Sequence, residues 1–291
     1  MTSSQAMLTA LIAYFIWVIY DTAIKFGQQT PVSPFLVMAI VGYTGAIGLT
    51  AFAVFARVLP KLRPTRWREQ GCTAVCAASI TIGNIIAVKH LPLALYYVIF
   101  FTSPLIVAVL SAVLKHEILT PIKIACLVAG FFGTILAIGV HGGSGDIIGY
   151  LAIFVGIMGF SLRAIFVRHM GKTVTSESTQ ILCNLFAGTG GVLGFLLQPS
   201  GGGIGIMAFL IFAFAGTLTL LASLLYFRAI QNTVSTNVAQ LQYTQVVFGA
   251  LFGYIFWRDI PTWNLVVGSV IIIASGMFLA SQARKTKNAV E

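Results

Sequence analysis

Long apolar runs separated by short polar connections fill the whole of this 291-residue chain. A hydrocarbon core about 30 Å thick asks for about 17 to 25 such residues per spanning helix. Runs of that length are Met7–Phe26, Phe35–Val58, Gly71–Val88, Leu91–Leu114, Pro121–Val140, Ile147–Val167, Ile181–Leu197, Gly203–Phe227, Val234–Trp257 and Trp263–Ala280. They predict an all-α integral membrane protein with ten transmembrane helices.

The pattern repeats itself. The stretch that begins at Leu91 returns 142 residues later without a gap: Thr102 falls on Thr244, Ala108 on Ala250, Thr120 on Thr262, Val128 on Val270, and the acid Glu117 on Asp259. Upstream the offset is 143, placing Lys25 on Arg168, Thr30 on Thr173, Ser33 on Ser176, Gly45 on Gly188 and Gly48 on Gly191. Self-similarity at one fixed period marks a duplication, here residues 1–141 and residues 142–291, the second carrying a basic C-terminal tail. Five helices per half is an odd number, so the halves cross the membrane in opposite senses, a recurrent plan of secondary transporters.

Composition agrees with the bilayer. The chain is 58% hydrophobic and 8% charged, against about 25% charged residues in soluble domains. Its net charge of +10 marks topology rather than a nucleic-acid partner. With both termini cytoplasmic, only Lys25, Lys89 and Arg258 lie outside, leaving 14 of the 17 Lys and Arg within, as the positive-inside rule requires. The basic segment Arg57–Arg68 then serves as a topology and headgroup anchor. Cys72, Cys76, Cys126 and Cys183 sit in apolar helices without C-x-x-C spacing and are expected to be buried small hydrophobes. The first apolar run is expected to be a retained helix rather than a cleaved signal.

Polar residues inside the spans are the candidate chemistry. Asp21 and Lys25 share a face of the first helix; an ion pair at the outer mouth and a coupling or gating role both fit them. Asn84 can bond a neighbouring helix or contact solute. In the fourth helix Pro104 leaves the Phe100 carbonyl without its usual partner and predicts a bend. Tyr97, Phe101 and Pro104 share a face there, fit to line a cavity or to pack. Arg163 can reach the interface or point inward to bind an anion. The ninth helix is the most polar, with Asn237, Gln240 and Thr244 on one face and Gln242 and Gln245 on another. One face would line a cavity and the other tie the helix to its neighbours. The glycines Gly42, Gly45, Gly48 and Gly188, Gly191, Gly194 form stripes for close helix packing.

Gly171, Lys172 and Thr173 imitate the end of a phosphate-binding loop, but Phe166 stands where that loop needs glycine. There is no H-E-x-x-H or G-x-S-x-G pattern and no carboxylate cluster with metal-ligand spacing, so neither an enzyme nor a bound cofactor is expected.

The five-helix duplication, the D-x-A-x-K of Asp21, Ala23 and Lys25, and the run AVKHLPLALYYVIFFTSPLIVAVLSAVLKHE resemble the EamA-type branch of the drug/metabolite transporter superfamily across essentially the whole chain. The look is similar to S-adenosylmethionine-like or riboflavin-like metabolite transporters, through Leu91 to Ala94, Phe100 and Phe101, Ser103 and Pro104, and Glu117. It departs at Gly42 and Tyr43, where an arginine is often found nearby, and at His116, where a glycine often precedes the acid. The resemblance implies alternating access around a cavity lined from both halves.

The sequence therefore predicts a multi-pass carrier of the bacterial inner membrane for a small organic solute, planar or anionic such as riboflavin, with Asn84, Tyr97, Phe101, Pro104, Arg163, Asn237, Gln240 and Tyr243 as substrate contacts and Asp21 and Lys25 for coupling or gating. An exporter of amino acids or drug-like compounds is the alternative. An integral-membrane enzyme or scaffold is the alternative of another class. The bilayer and the solute are the expected partners, and neither a monomer nor a homodimer is favoured.

Overall fold

The computed structural model describes residues 3–103, 106, 109–110, 113, 121–138, 146–170, 174–199, 203–232, 242, 244–260 and 262–288. They are all-helical in their regular structure: α1 Ser3–Gly27, α2 Pro34–Phe55, a short 3-10 helix Leu59–Leu62, α3 Trp67–His90, α4 Leu93–Phe100, α5 Pro121–Ile138, α6 Ile147–Met170, α7 Ser176–Leu197, α8 Ile206–Asn232, α9 Thr244–Trp257 and α10 Trp263–Asn288. Six stretches among them are long and apolar enough to cross a membrane: Gln5–Gly27, Pro34–Phe55, Trp67–His90, Ile147–Val167, Ser176–Leu197 and Ile206–Tyr226.

The chain forms two compact units, and each draws on both ends of the sequence. One holds Met1–Val18, Leu91–Ile147 and Leu225–Glu291; the other holds Ile19–His90 and Ile148–Leu224. The division runs through α1 and α8, so each contributes one part to each unit.

In the second unit α2 packs along α7, and glycine is what lets the two backbones meet. A Cβ built on Gly42 would stand 2.7 Å from the Gly188 Cα, and one on Gly191 would stand 2.6 Å from the Phe35 carbonyl oxygen and 2.8 Å from the Ala39 Cα. Contacts fall at 35 with 194, 39 with 191, 42 with 188 and 45 with 184. One number rises as the other falls, so the helices run antiparallel. The predicted stripes are thus the two sides of a single helix crossing, where small residues permit close approach in lipid. α3 meets α6 in the same manner, Gly83 lying against Ala152 and Gly156. Leucine, valine and phenylalanine cover the outer side of α7: Phe186, Leu193 and Leu196 are exposed while Gly188 and Gly191 are buried. An apolar exterior over a tightly packed interior is what lipid solvent selects.

The first unit is knit by aromatic rings. Tyr14 of α1 meets Tyr226 of α8 edge-on and Trp17 meets it tilted, with centroids 5.8 and 5.2 Å away, and Phe15 meets Phe248 of α9 edge-on at 4.9 Å. α5 packs along α10 and α4 along α9. In the pairs α2 with α7 and α5 with α10, a helix lies beside the one that the 142–143 offset maps onto it.

α4 stops at Phe100. Phe101 and Thr102 form a turn, and Ser103 is helical again. Thr102 Oγ1 bonds back to the Ile99 carbonyl at 2.7 Å. The interruption falls at the carbonyl that the sequence of Pro104 deprives of its donor, although Pro104 itself lies outside the described residues.

Candidate functional site

The richest collection of buried polar side chains lies in the second unit and starts from α7. Its N-cap is Thr175, whose hydroxyl accepts from the Ser178 backbone N–H, meeting one of the orphan donors of a helix start. The first turns then bury Ser178, Thr179, Gln180 and Asn184 rather than exposing them, because the opposite side carries Leu185 and Phe186, which face outward. Amphipathicity is here inverted, polar inward and apolar outward.

Two hydrogen-bonded chains result. In one, half-buried Arg163 of α6 donates through Nη2 to Gln180 Oε1 at 3.2 Å, and Gln180 Nε2 donates to Asn184 Oδ1 at 3.2 Å. Asn184 Nδ2 is left without a hydrogen-bond partner among the described residues, and a Cβ on Gly45 would stand 2.9 Å from it. In the other, fully buried Gln70 of α3 donates to Ser178 Oγ at 2.8 Å and Thr179 Oγ1 at 3.2 Å. Gln70 Oε1 also accepts the backbone N–H groups of Thr65 and Arg66, each at 3.0 Å.

Gln70 therefore closes a complete set of bonds. Gln70→Leu would strand the two N–H donors it now satisfies, and each orphan costs about 1–3 kcal/mol. The variant is expected to lose about 2–3 kcal/mol of stability, read as a thermal midpoint lowered by about 5–10 °C in detergent; an unchanged midpoint would contradict the geometry.

Asn84 of α3 lies against α6, its Oδ1 2.9 Å from where a Gly156 Cβ would be and without a partner among the described residues. Ser161 of α6 is wholly buried, and its hydroxyl is likewise unpartnered. One body thus holds an unused acceptor on Asn84, an unused hydroxyl on Ser161 and an unused donor on Asn184, while Arg163 supplies fixed positive charge. Buried polar atoms are normally paired, so unpaired ones call for a specific explanation.

Asp21 is buried and Lys25 half-buried, and both are engaged in polar or electrostatic contacts. Gln28, just past the end of α1 and seven positions after Asp21, is buried with both carboxamide atoms unpartnered among the described residues. Sequence reasoning passed over Gln28, Gln70, Gln180 and Asn184. A lone amide near a helix end gives no sign of the direction it faces, although spacing from Asp21 could have drawn attention to Gln28.

Tyr97 and Phe101 belong to the other unit. They stack at 6.4 Å with 26° between planes, beside a parallel pair, Tyr96 and Phe100, at 5.9 Å. Tyr97 is buried against Gly249 of α9, where a Cβ would come 2.5 Å from its Cε2. Gln245 donates to the Tyr14 carbonyl at 3.4 Å, so its face of the ninth helix is the one that ties α9 to α1. Pro104, Asn237, Gln240 and Tyr243 lie outside the described residues. Of the cysteines, Cys76 and Cys183 are buried as expected, but Cys72 is exposed on α3, where the α3 surface turns away from α7.

Long apolar helices with glycine crossings and buried polar side chains define a multi-pass α-helical membrane protein. The EamA-like transporter family model matches it twice, over residues 4–139 and 147–281. The chain belongs to the EamA-like transporter family, within the drug/metabolite transporter superfamily. No curated protein matches the sequence. A crystal structure of another protein is similar with a TM-score of 0.67 and 19% identity, covering 98% of this chain and 98% of that one; a likeness at that identity concerns the fold alone.

Proposed function

We propose that this protein is a ten-span secondary transporter that moves a small planar or anionic organic metabolite, of the riboflavin type, across the bacterial inner membrane by alternating access. The family match to both halves of the chain carries the reading. The proposed topology is two inverted five-helix repeats, 1–141 and 142–291, with both termini cytoplasmic. The antiparallel crossing of α2 and α7 supports it, since equivalent helices of inverted repeats point in opposite senses.

Asn84, Tyr97, Phe101, Pro104, Arg163, Asn237, Gln240 and Tyr243 are the proposed solute contacts. The unpartnered Asn84 oxygen and Asn184 nitrogen, together with the Arg163 guanidinium, suit a solute that offers both acceptors and a donor, and charge complementarity favours an anion. Purified protein is expected to gain thermal stability with flavins or nucleoside-like compounds, because a ligand that binds only the folded form stabilises it by mass action. A gain confined to amino acids or cationic drugs would overturn the solute class and leave the family untouched.

Asp21 and Lys25 are assigned to coupling or gating. Asp21→Asn is expected to abolish accumulation driven by a proton gradient while exchange of solute down its own gradient continues. Undiminished proton-driven accumulation in that variant would remove Asp21 from the role.

A further inference from the structure

The connection between α2 and α3 carries five basic residues, Arg57, Lys61, Arg63, Arg66 and Arg68, and its nearest acid, Glu69, is taken by Arg66 at 2.7 Å. Arg57, Lys61, Arg63 and Arg68 are exposed and have no side-chain partner among the described residues. The same stretch holds large apolar side chains out toward its surroundings: Phe55 is 88% exposed, Trp67 65% and Leu59 47%. Unpaired cations beside an aromatic and aliphatic fringe match the polar and apolar halves of a phospholipid.

The backbone here is unusually fixed for a connection. The Thr175 hydroxyl of α7 donates to the Lys61 carbonyl at 2.8 Å, and Gln70 holds the Thr65 and Arg66 N–H groups. Arg57 adopts a φ of 54° at the position after the C-cap of α2, where the Val58 N–H reaches back to the Ala53 carbonyl at 2.9 Å. That reach-back is a helix-ending motif whose left-handed residue is usually glycine. A side chain there is strained, because its Cβ crowds the neighbouring carbonyl oxygen. An arginine kept at a glycine position points to a use for its guanidinium.

From these contacts we infer that the α2–α3 connection is a preorganised binding site for the headgroup of an anionic phospholipid, with Arg57 as its principal ligand and Lys61, Arg63 and Arg68 around it. The site is independent of the transported solute. Because the connection is bonded to the first turns of α3 and α7, an occupied site braces the α2–α3–α7 body and registers as added thermal stability.

The test is a thermal titration of the purified full-length protein in neutral detergent with phosphatidylglycerol, beside phosphatidylcholine and beside inorganic phosphate. Phosphatidylglycerol alone is expected to raise the midpoint, less so as salt is added. Arg57→Gly is the decisive variant. It should equal or exceed the parent in detergent alone, since the left-handed strain is gone, yet need about fivefold more phosphatidylglycerol for the same shift. Neutralising Arg57, Lys61, Arg63 and Arg68 to glutamine together should weaken the response by several hundredfold, roughly fivefold for each charge. Equal shifts with phosphatidylcholine or inorganic phosphate, or an Arg57→Gly protein that keeps the full response, would overturn the site.

Discussion

Gly42→Ala is expected to lower the thermal midpoint by about 10 °C, and Gly42→Leu to leave no recoverable folded protein. The added Cβ meets backbone: the Gly188 Cα at 2.7 Å and the Asn184 carbonyl oxygen at 2.8 Å. A flexible side chain could move aside, but two helix backbones can respond only by separating, and the separation propagates along the whole α2–α7 crossing. Overpacking costs about 1–3 kcal/mol where side chains can adjust, so the upper end, about 3 kcal/mol, applies to alanine here. That corresponds to about 6–12 °C for a protein of this size. Gly191→Ala should behave the same way, because its Cβ meets the Phe35 carbonyl and the Ala39 Cα. Gly190 is the control on the same helix. Its Cβ would lie an ordinary 3.5 Å from the Met38 Cε, and alanine favours helix over glycine, so Gly190→Ala should leave the midpoint unchanged or slightly raised. Fluorescence-detected thermal unfolding of the three variants reads the difference. Equal effects at all three positions would contradict the crossing.

The second large effect concerns transport rather than folding. Asn84→Leu is expected to leave the thermal midpoint within about 2 °C of the parent, since the Asn84 oxygen has no hydrogen bond to lose among the described residues. Transport efficiency should fall about 10- to 100-fold, the value of one buried hydrogen bond to solute expressed as a rate. Asn84→Asp adds a negative charge at the same volume. With an anionic solute it should be at least as damaging as leucine, and activity should recover as the pH is lowered toward protonation of the new carboxyl. A leucine variant that transports normally would remove Asn84 from the solute site. A leucine variant that unfolds would make Asn84 a packing residue.

These two predictions mark what the sequence reveals and what it hides. The glycine stripes were readable because small residues at helical spacing have one dominant use in lipid. The break in α4 was readable because the missing N–H of Pro104 falls on one identifiable carbonyl. The identity of each helix's partner is less local: α2 meets α7 and α5 meets α10 across more than 100 positions, and only the repeat offset hints at it. Gln70 and Gln180 were hidden because a single glutamine can face lipid headgroups, another helix or a cavity with the same neighbours in sequence. That Gly249 lies against Tyr97 was hidden because spacing names a face and not what lies opposite. The strain at Arg57 was invisible for a different reason. Backbone hand at a helix end follows from how the connection is bonded, here through Thr175 and Gln70, both far along the chain or buried.

The measurement that bears most directly on the transport claim is counterflow in proteoliposomes that contain no nucleotide, with riboflavin as the probe beside an amino acid and a cationic drug. The account predicts saturable riboflavin counterflow whose efficiency Asn84→Leu lowers about 10- to 100-fold. Saturable counterflow of only the amino acid or the cation would contradict the proposed solute class, and no saturable flux of any of them would contradict carrier function.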